Sequence, residues 1–181
     1  MGFVLKKTVV MVGMMGAGKT AVGMALAREL DVPFLDSDAE IIKAANRTIA
    51  EIFERDGEPF FREKEARVIE RLLEHQRGVL STGGGAYMAE RNRDMITDKG
   101  VAVWLKADLD LLWNRVKHKD TRPLLRTADP RMTLGALQET RDPVYALSDL
   151  TVAANAEYSI PQMVERVIDA LLERPDVLER T

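Results

Sequence analysis

Thr8-Val9-Val10-Met11-Val12-Gly13-Met14-Met15-Gly16-Ala17-Gly18-Lys19-Thr20 begins as a short apolar, β-branched run and turns abruptly into glycines, a lysine and a hydroxyl. The run reads as a buried strand ending at Gly13. From Gly13 to Thr20 the chain fits G-x-x-x-x-G-K-[ST] at every fixed position. Lys19 to Leu30 then carries Val22, Ala25, Leu26 and Leu30 at helical spacing, so the pattern has the strand-loop-helix context it requires. Glycines let successive N–H groups point inward as an anion nest, and the following helix adds its positive N-terminal end. Gly13, Gly16, Ala17, Gly18, Lys19, Thr20 and Ala21 are therefore the expected nucleotide contacts. Lys19 is placed to reach the β- and γ-phosphates, and the Thr20 hydroxyl to sit on Mg2+. This loop alone does not separate kinase, GTPase and ATPase.

Downstream, strands and helices alternate. Val32–Leu35, Val79–Thr82, Val101–Leu105 and Thr151–Ala153 read as further strands. Thr48 to Glu51 forms a capping box, Glu58 to Gln76 reads as a long charged helix stopped by Gly78, and Asp108 caps a helix reaching about Lys117. Met132–Thr140 reads as helical, and Ser159 with Pro161 and Gln162 opens a helix running to about Glu173. The residues from about Pro175 are expected to fray. Such alternation predicts an α/β fold, a parallel sheet with helices on both faces, in one domain over 1–181.

Composition narrows the function. The net charge of −3 disfavours a nucleic-acid partner, because duplex binders carry a basic excess or face. With no cysteine, disulfides, thiolate zinc sites and a cysteine nucleophile are excluded. No stretch approaches about 18 apolar residues, so no membrane span is expected. The N-terminus fits neither a signal peptide nor a myristoylation pattern, which leaves a cytoplasmic protein as the expectation.

Four features carry the acceptor chemistry. Asp36-Ser37-Asp38 follows the second strand, where ligands of open α/β sheets bind. One carboxylate can stand near Mg2+ and the other on a substrate hydroxyl, although Ser37 or Asp38 can equally cap a helix. Ser81-Thr82-Gly83-Gly84-Gly85 ends the third strand, with three glycines opening the backbone to a ligand. A serine stands where an acidic residue is usual. Arg62 and Glu65 share a helix face, and Arg141 precedes Pro143, which is expected to end its helix. A guanidinium matches a carboxylate bidentately, although taken alone each arginine reads as a solvated surface charge. The polar segment from His118 to Arg131 holds Thr121-Arg122-Pro123-Leu124-Leu125-Arg126, a candidate lid over about 118–130 that brings an arginine to the phosphates.

In this order the motifs resemble shikimate kinase, and the resemblance spans nearly the whole chain. It rests on Gly13 to Thr20, Asp36-Ser37-Asp38, Phe61-Arg62-x-x-Glu65, Gly83-Gly84-Gly85, Thr121 to Leu125 and Arg141-x-Pro143-x-Tyr145. The resemblance implies a three-layer P-loop fold with a five-stranded parallel sheet flanked by helices and a mobile lid. It implies transfer of the ATP γ-phosphoryl group to the 3-hydroxyl of shikimate, within chorismate and aromatic amino-acid biosynthesis. Lys19, Asp38 and Arg122 are then the catalytic residues, with Asp38 accepting the hydroxyl proton and Asp36 meeting Mg2+ through water. Arg62 and Arg141 clamp the shikimate carboxylate, Glu65 buttresses Arg62, and Gly83, Gly84 and Gly85 line the acceptor. Arg115 and Asn155 flank the adenine, although family members often carry a basic residue where this chain has Asn155. ATP, Mg2+ and shikimate are the expected ligands, bound by a monomer with no nucleic-acid or membrane partner. Gluconate kinase is the alternative enzyme. A nucleotide-binding switch is the alternative of another class, but the Asn-Lys-x-Asp guanine motif of a GTPase is missing.

Overall fold

A computed structural model describes residues 2–118 and 125–181. Its element order is β1 (Phe3–Leu5), β2 (Thr8–Val12), α1 (Lys19–Leu30), β3 (Phe34–Asp36), α2 (Ser37–Ala45), α3 (Ile49–Asp56), α4 (Glu58–His75), β4 (Val79–Ser81), α5 (Glu90–Lys99), β5 (Gly100–Lys106), α6 (Leu109–Val116), α7 (Pro130–Tyr145), β6 (Leu150–Ala153), α8 (Ile160–Leu172) and β7 (Leu178–Arg180).

The main sheet has five strands in the order β3-β4-β2-β5-β6. All its pairings are parallel, with Val10 opposite Leu80 on one side and Ala102 on the other. Central β2 is buried at every position, which is why it is apolar without alternation. The chain leaves β2 toward β4 on one side and β5 on the other, so a crevice opens at its carboxyl end. The phosphate loop occupies that end.

Helices cover both faces. α1 buries Val22, Gly23, Leu26, Ala27 and Leu30. Gly23 is required for space: a Cβ there would lie 2.9 Å from the Phe34 ring. α8 opens with the expected capping box between Ser159 and Gln162, and α3 with that between Thr48 and Glu51. Asp108 caps α6 as expected.

Four expectations need correction. The tail does not fray: β7 pairs antiparallel with β1, with Val177 and Leu178 buried. Three-residue strands are too short for any periodicity to reveal. Asp36, and neither Ser37 nor Asp38, caps α2, its Oδ1 accepting from the Ala39 amide at 3.0 Å. α7 starts at Pro130, capped by Asp129, earlier than the polar composition suggested. It also runs through Pro143 to Tyr145, because buried Tyr145 anchors the last turn and tertiary packing overrides the local break. The lid expectation falls chiefly on residues 119–124, which lie outside the described residues. Among the described residues no helix is long and apolar enough to cross a membrane.

Candidate active site

At the carboxyl end of β2 the phosphate loop turns through Gly16 and Gly18, at φ 84° and 100°. These are left-handed values that side chains resist. Gly18 caps α1 directly, so the first free N–H groups of that helix face the loop. Lys19 is buried and its Nζ donates to the Gly13 carbonyl. The Arg115 guanidinium, carried by α6, donates to the Gly16 carbonyl at 3.0 Å and stands over the loop. A cleft of about 390 Å3 runs along these groups and is lined also by Thr20, Ala21, Asp36 and Asp38. Asn155 is not among its lining residues; its side chain accepts from the Glu157 amide in an exposed turn after β6.

A second, smaller pocket of about 90 Å3 adjoins the cleft. Its polar walls are Arg62 and Glu65 from α4, Arg141 from α7 and Asp38 from α2. Its apolar wall is Ile49, Phe53 and Phe61, with the two rings 4.9 Å apart. The two spaces meet at Met15, Asp38, Gly83 and Gly84, which line both.

The three glycines after β4 have an explanation the sequence did not supply. A Cβ on Gly83 would lie 2.9 Å from an Asp38 carboxylate oxygen. One on Gly84 would lie 2.9 Å from Arg141 Nη1, and one on Gly85 only 2.3 Å from Arg62 Nη2. Each glycine thus leaves room for charged side chains of the pocket, Gly83 for Glu65 as well as Asp38. The loop is braced from behind: Asn92 donates to the Ala86 carbonyl at 2.8 Å, and Arg93 to the carbonyls of Tyr87 and Met88. Nothing in the polar helix α5 marks these two as loop supports, so sequence reasoning missed them.

Glu65 is fully buried. Its Oε1 accepts from Arg62 Nη1 at 2.8 Å, while Oε2 has no hydrogen-bond partner among the described residues. Burial pushes its carboxyl up to about 7, against the pull of the Arg62 charge, and nearby Asp38 adds to the rise. Arg62 also bonds Glu58 at 3.3 Å, so two glutamates fix its pose. The pair of arginines converging on one pocket suits a ligand carboxylate. Arg122 lies outside the described residues.

Thr20 and Asp36 place a hydroxyl and a carboxylate on one wall of the cleft, a hard-oxygen set that fits Mg2+ sharing its coordination with phosphates and water. Among the described residues no group of three or more His, Cys, Asp or Glu is positioned to hold a metal on its own.

Comparison with known proteins is decisive at this point. The family model described as shikimate kinase matches residues 15–172. The chain belongs to the shikimate kinase family. Shikimate kinases of Ruegeria pomeroyi and Cereibacter sphaeroides are each 71% identical over 175 residues, covering 97% of this chain and 90% and 87% of theirs. The structure of the shikimate kinase of Acinetobacter baumannii, in complex with shikimate, superposes with a TM-score of 0.89 at 36% identity, over 92% of this chain and 93% of that one. A gluconokinase of Sinorhizobium meliloti reaches a TM-score of 0.61 at 20% identity, over 93% of each chain, which is a likeness of fold alone. Membership in the shikimate kinase family makes this chain an ATP-dependent kinase, and the gluconate and switch alternatives are not favoured.

Proposed function

We propose that the chain moves the γ-phosphoryl group of ATP to the 3-hydroxyl of shikimate across the junction of the two spaces. The observation that carries this reading is the shared wall: Met15, Asp38, Gly83 and Gly84 line both the nucleotide and the acceptor space. ATP phosphates lie in the nest of Gly13 to Thr20, with Lys19 leaving the Gly13 carbonyl to meet the β- and γ-oxygens. Arg115 flanks the base, and Arg122 is assigned to the phosphates on sequence alone. Thr20 and Asp36 would hold Mg2+, which would supply charge to neutralise the phosphates.

Shikimate enters the smaller pocket with its carboxylate between Arg62 and Arg141. This anchors the ring against Phe53 and Phe61 and turns its hydroxyls to Asp38 and the Gly83–Gly85 loop. Asp38 accepts the proton of the attacking hydroxyl at the shared wall. The bond from the γ-phosphorus to the acceptor oxygen forms as the bond to ADP breaks. Such chemistry needs positioning and charge stabilisation more than covalent participation by the protein. A cytoplasmic monomer completes the reading, and its oligomeric state is measured by sedimentation equilibrium.

Calorimetric titration of Arg62→Ala and Arg141→Ala tests these assignments. Each change should weaken shikimate by about 10- to 100-fold, from a charge-assisted bond of roughly 1.5–3 kcal/mol, and leave ADP affinity unchanged. Equal losses for both ligands would refute the clamp. Lysine should rescue neither, for want of the planar fork.

A further inference from the structure

We propose that Tyr145 is a positioning residue for shikimate: its phenol pins the Gly84 carbonyl beside the Arg141 guanidinium, so that clamp and glycine loop hold one fixed geometry. The proposal rests on Arg141 being the carboxylate ligand.

The geometry comes from three elements. Arg141 and Tyr145 stand four residues apart on α7, which puts them on one helix face. Both are buried. The Tyr145 hydroxyl donates to the Gly84 carbonyl, across a sequence separation of 61 residues. The Arg141 guanidinium stands beside the same phenol, close enough for its charge to pull on it. The phenol's donor is thus spent on the glycine loop beside the clamp, and Gly84 and Arg141 both line the acceptor pocket. Arg141 is in turn pressed over Gly84, where a Cβ would meet Nη1 at 2.9 Å.

The ring is held as firmly as the hydroxyl. It packs on Trp104 of β5 with centroids 5.9 Å apart and planes at 33°. Trp104 Cδ1 would lie 3.5 Å from a Cβ on Gly13, so the tyrosine is wedged against a side chain that abuts the phosphate loop. Burial pushes the phenol up to about 12, with Arg141 pulling the other way. The group remains a neutral donor at any working pH, which removes proton exchange as its role. The peptide plane supplies the consequence: fixing the Gly84 carbonyl toward Tyr145 fixes the Gly85 N–H away from it. The amide that follows is thereby aimed by a side chain of α7.

The position of Tyr145 also accounts for α7 itself. Pro143 leaves the Glu139 carbonyl without its ordinary helical donor, yet the helix continues and the Ala146 amide bonds the Asp142 carbonyl at 2.9 Å. The last turn carries no other fully buried side chain than Tyr145, so keeping the tyrosine on the face of Arg141 is what the continued turn achieves.

Tyr145→Phe removes only the hydroxyl. Calorimetric titration of the full chain should show shikimate Kd raised about 10-fold, from one lost buried hydrogen bond and one orphaned carbonyl. ADP Kd should stay within about twofold and kcat at saturating shikimate within about threefold, because the chemical groups are untouched. In an Arg141→Lys background the same change should add less than about twofold, since the two residues act through one interaction. Independently of any change at Tyr145, wild-type protein labelled with 13C at the tyrosine Cζ carries three tyrosines, and Tyr87→Phe and Tyr158→Phe assign the third resonance by elimination. That resonance should shift on saturation with shikimate and stay in place with ADP alone. A shikimate Kd unchanged by Tyr145→Phe, parallel weakening of both ligands, or a resonance indifferent to shikimate would overturn the proposal. If Arg141→Ala binds shikimate normally, the clamp reading fails first and this proposal falls with it.

Discussion

Glu65→Gln isolates the electrostatic tension of a fully buried carboxyl. A carboxyl raised from 4.5 to about 7 is a statement about stability as well as protonation. The folded protein holds this proton to higher pH than the unfolded chain does. The burden of the buried charge is therefore absent below about 4.5, grows as pH rises, and is complete above about 7. At about 1.4 kcal/mol per pH unit the full burden is roughly 3 kcal/mol. Glu65 is fully buried, so solvent screening does not reduce it. Between about pH 5 and pH 8 the loss comes to about 2.5 kcal/mol. Urea denaturation of the unliganded protein across that window should show it as a fall in midpoint of about 1 M. Glu65→Gln keeps the shape and lacks the titration, so its stability should decline less over the same range, by about 2 kcal/mol or more. All other titrating groups are common to both proteins and cancel in the difference. Parallel curves for the two proteins would refute the reasoning. The same carboxyl predicts proton-linked binding: an anion beside Arg62 favours protonated Glu65, so shikimate affinity should weaken as pH rises through about 7.

Further outcomes follow from the geometry. Gly85→Ala places a Cβ 2.3 Å from Arg62 Nη2, which Glu65 prevents from moving freely, so shikimate affinity should fall at least about 10-fold with ADP affinity intact, measured by calorimetry. Lys19→Ala should lower kcat by about 100-fold or more without changing the circular dichroism spectrum, since it removes charge that serves the transferring phosphate. Asp38→Asn should bind shikimate within a few-fold of wild type yet lose about 100-fold or more in kcat; a nearly unchanged rate would reduce Asp38 to a binding contact.

Much of the fold was legible because its central strands are continuous apolar runs that end in loop residues of strong character. Val9 to Val12 ending at Gly13, and Val79 to Ser81 ending at three glycines, could be read directly. The terminal sheet could not, because Val177 and Leu178 alone in a polar tail carry no period. The path of α7 could not, because Pro143 is locally a helix terminator and only the burial of Tyr145 reverses that. At the site, the phosphate-loop pattern pointed to Lys19 and the acidic pair after the second strand to Asp38, whereas Arg62 and Arg141 were singled out only by the resemblance to a family. The supports of the glycine loop stayed hidden: Asn92 and Arg93 act through side-chain bonds to carbonyls, which leave no pattern in sequence. The purpose of each glycine also became visible only when the neighbouring charged group was located.

The central claim is phosphoryl transfer to one acceptor at the wall shared by the two spaces. Incubation of the protein with ATP and Mg2+, with either shikimate or gluconate added, measures this when ADP release is followed and the sugar-acid product is identified by 31P and 1H NMR. The account predicts ADP release that depends on shikimate, one ADP per shikimate consumed, and phosphorus on the 3-hydroxyl alone. Equal turnover with gluconate, ADP release at the same rate without any acceptor, or phosphorus at another hydroxyl would contradict it.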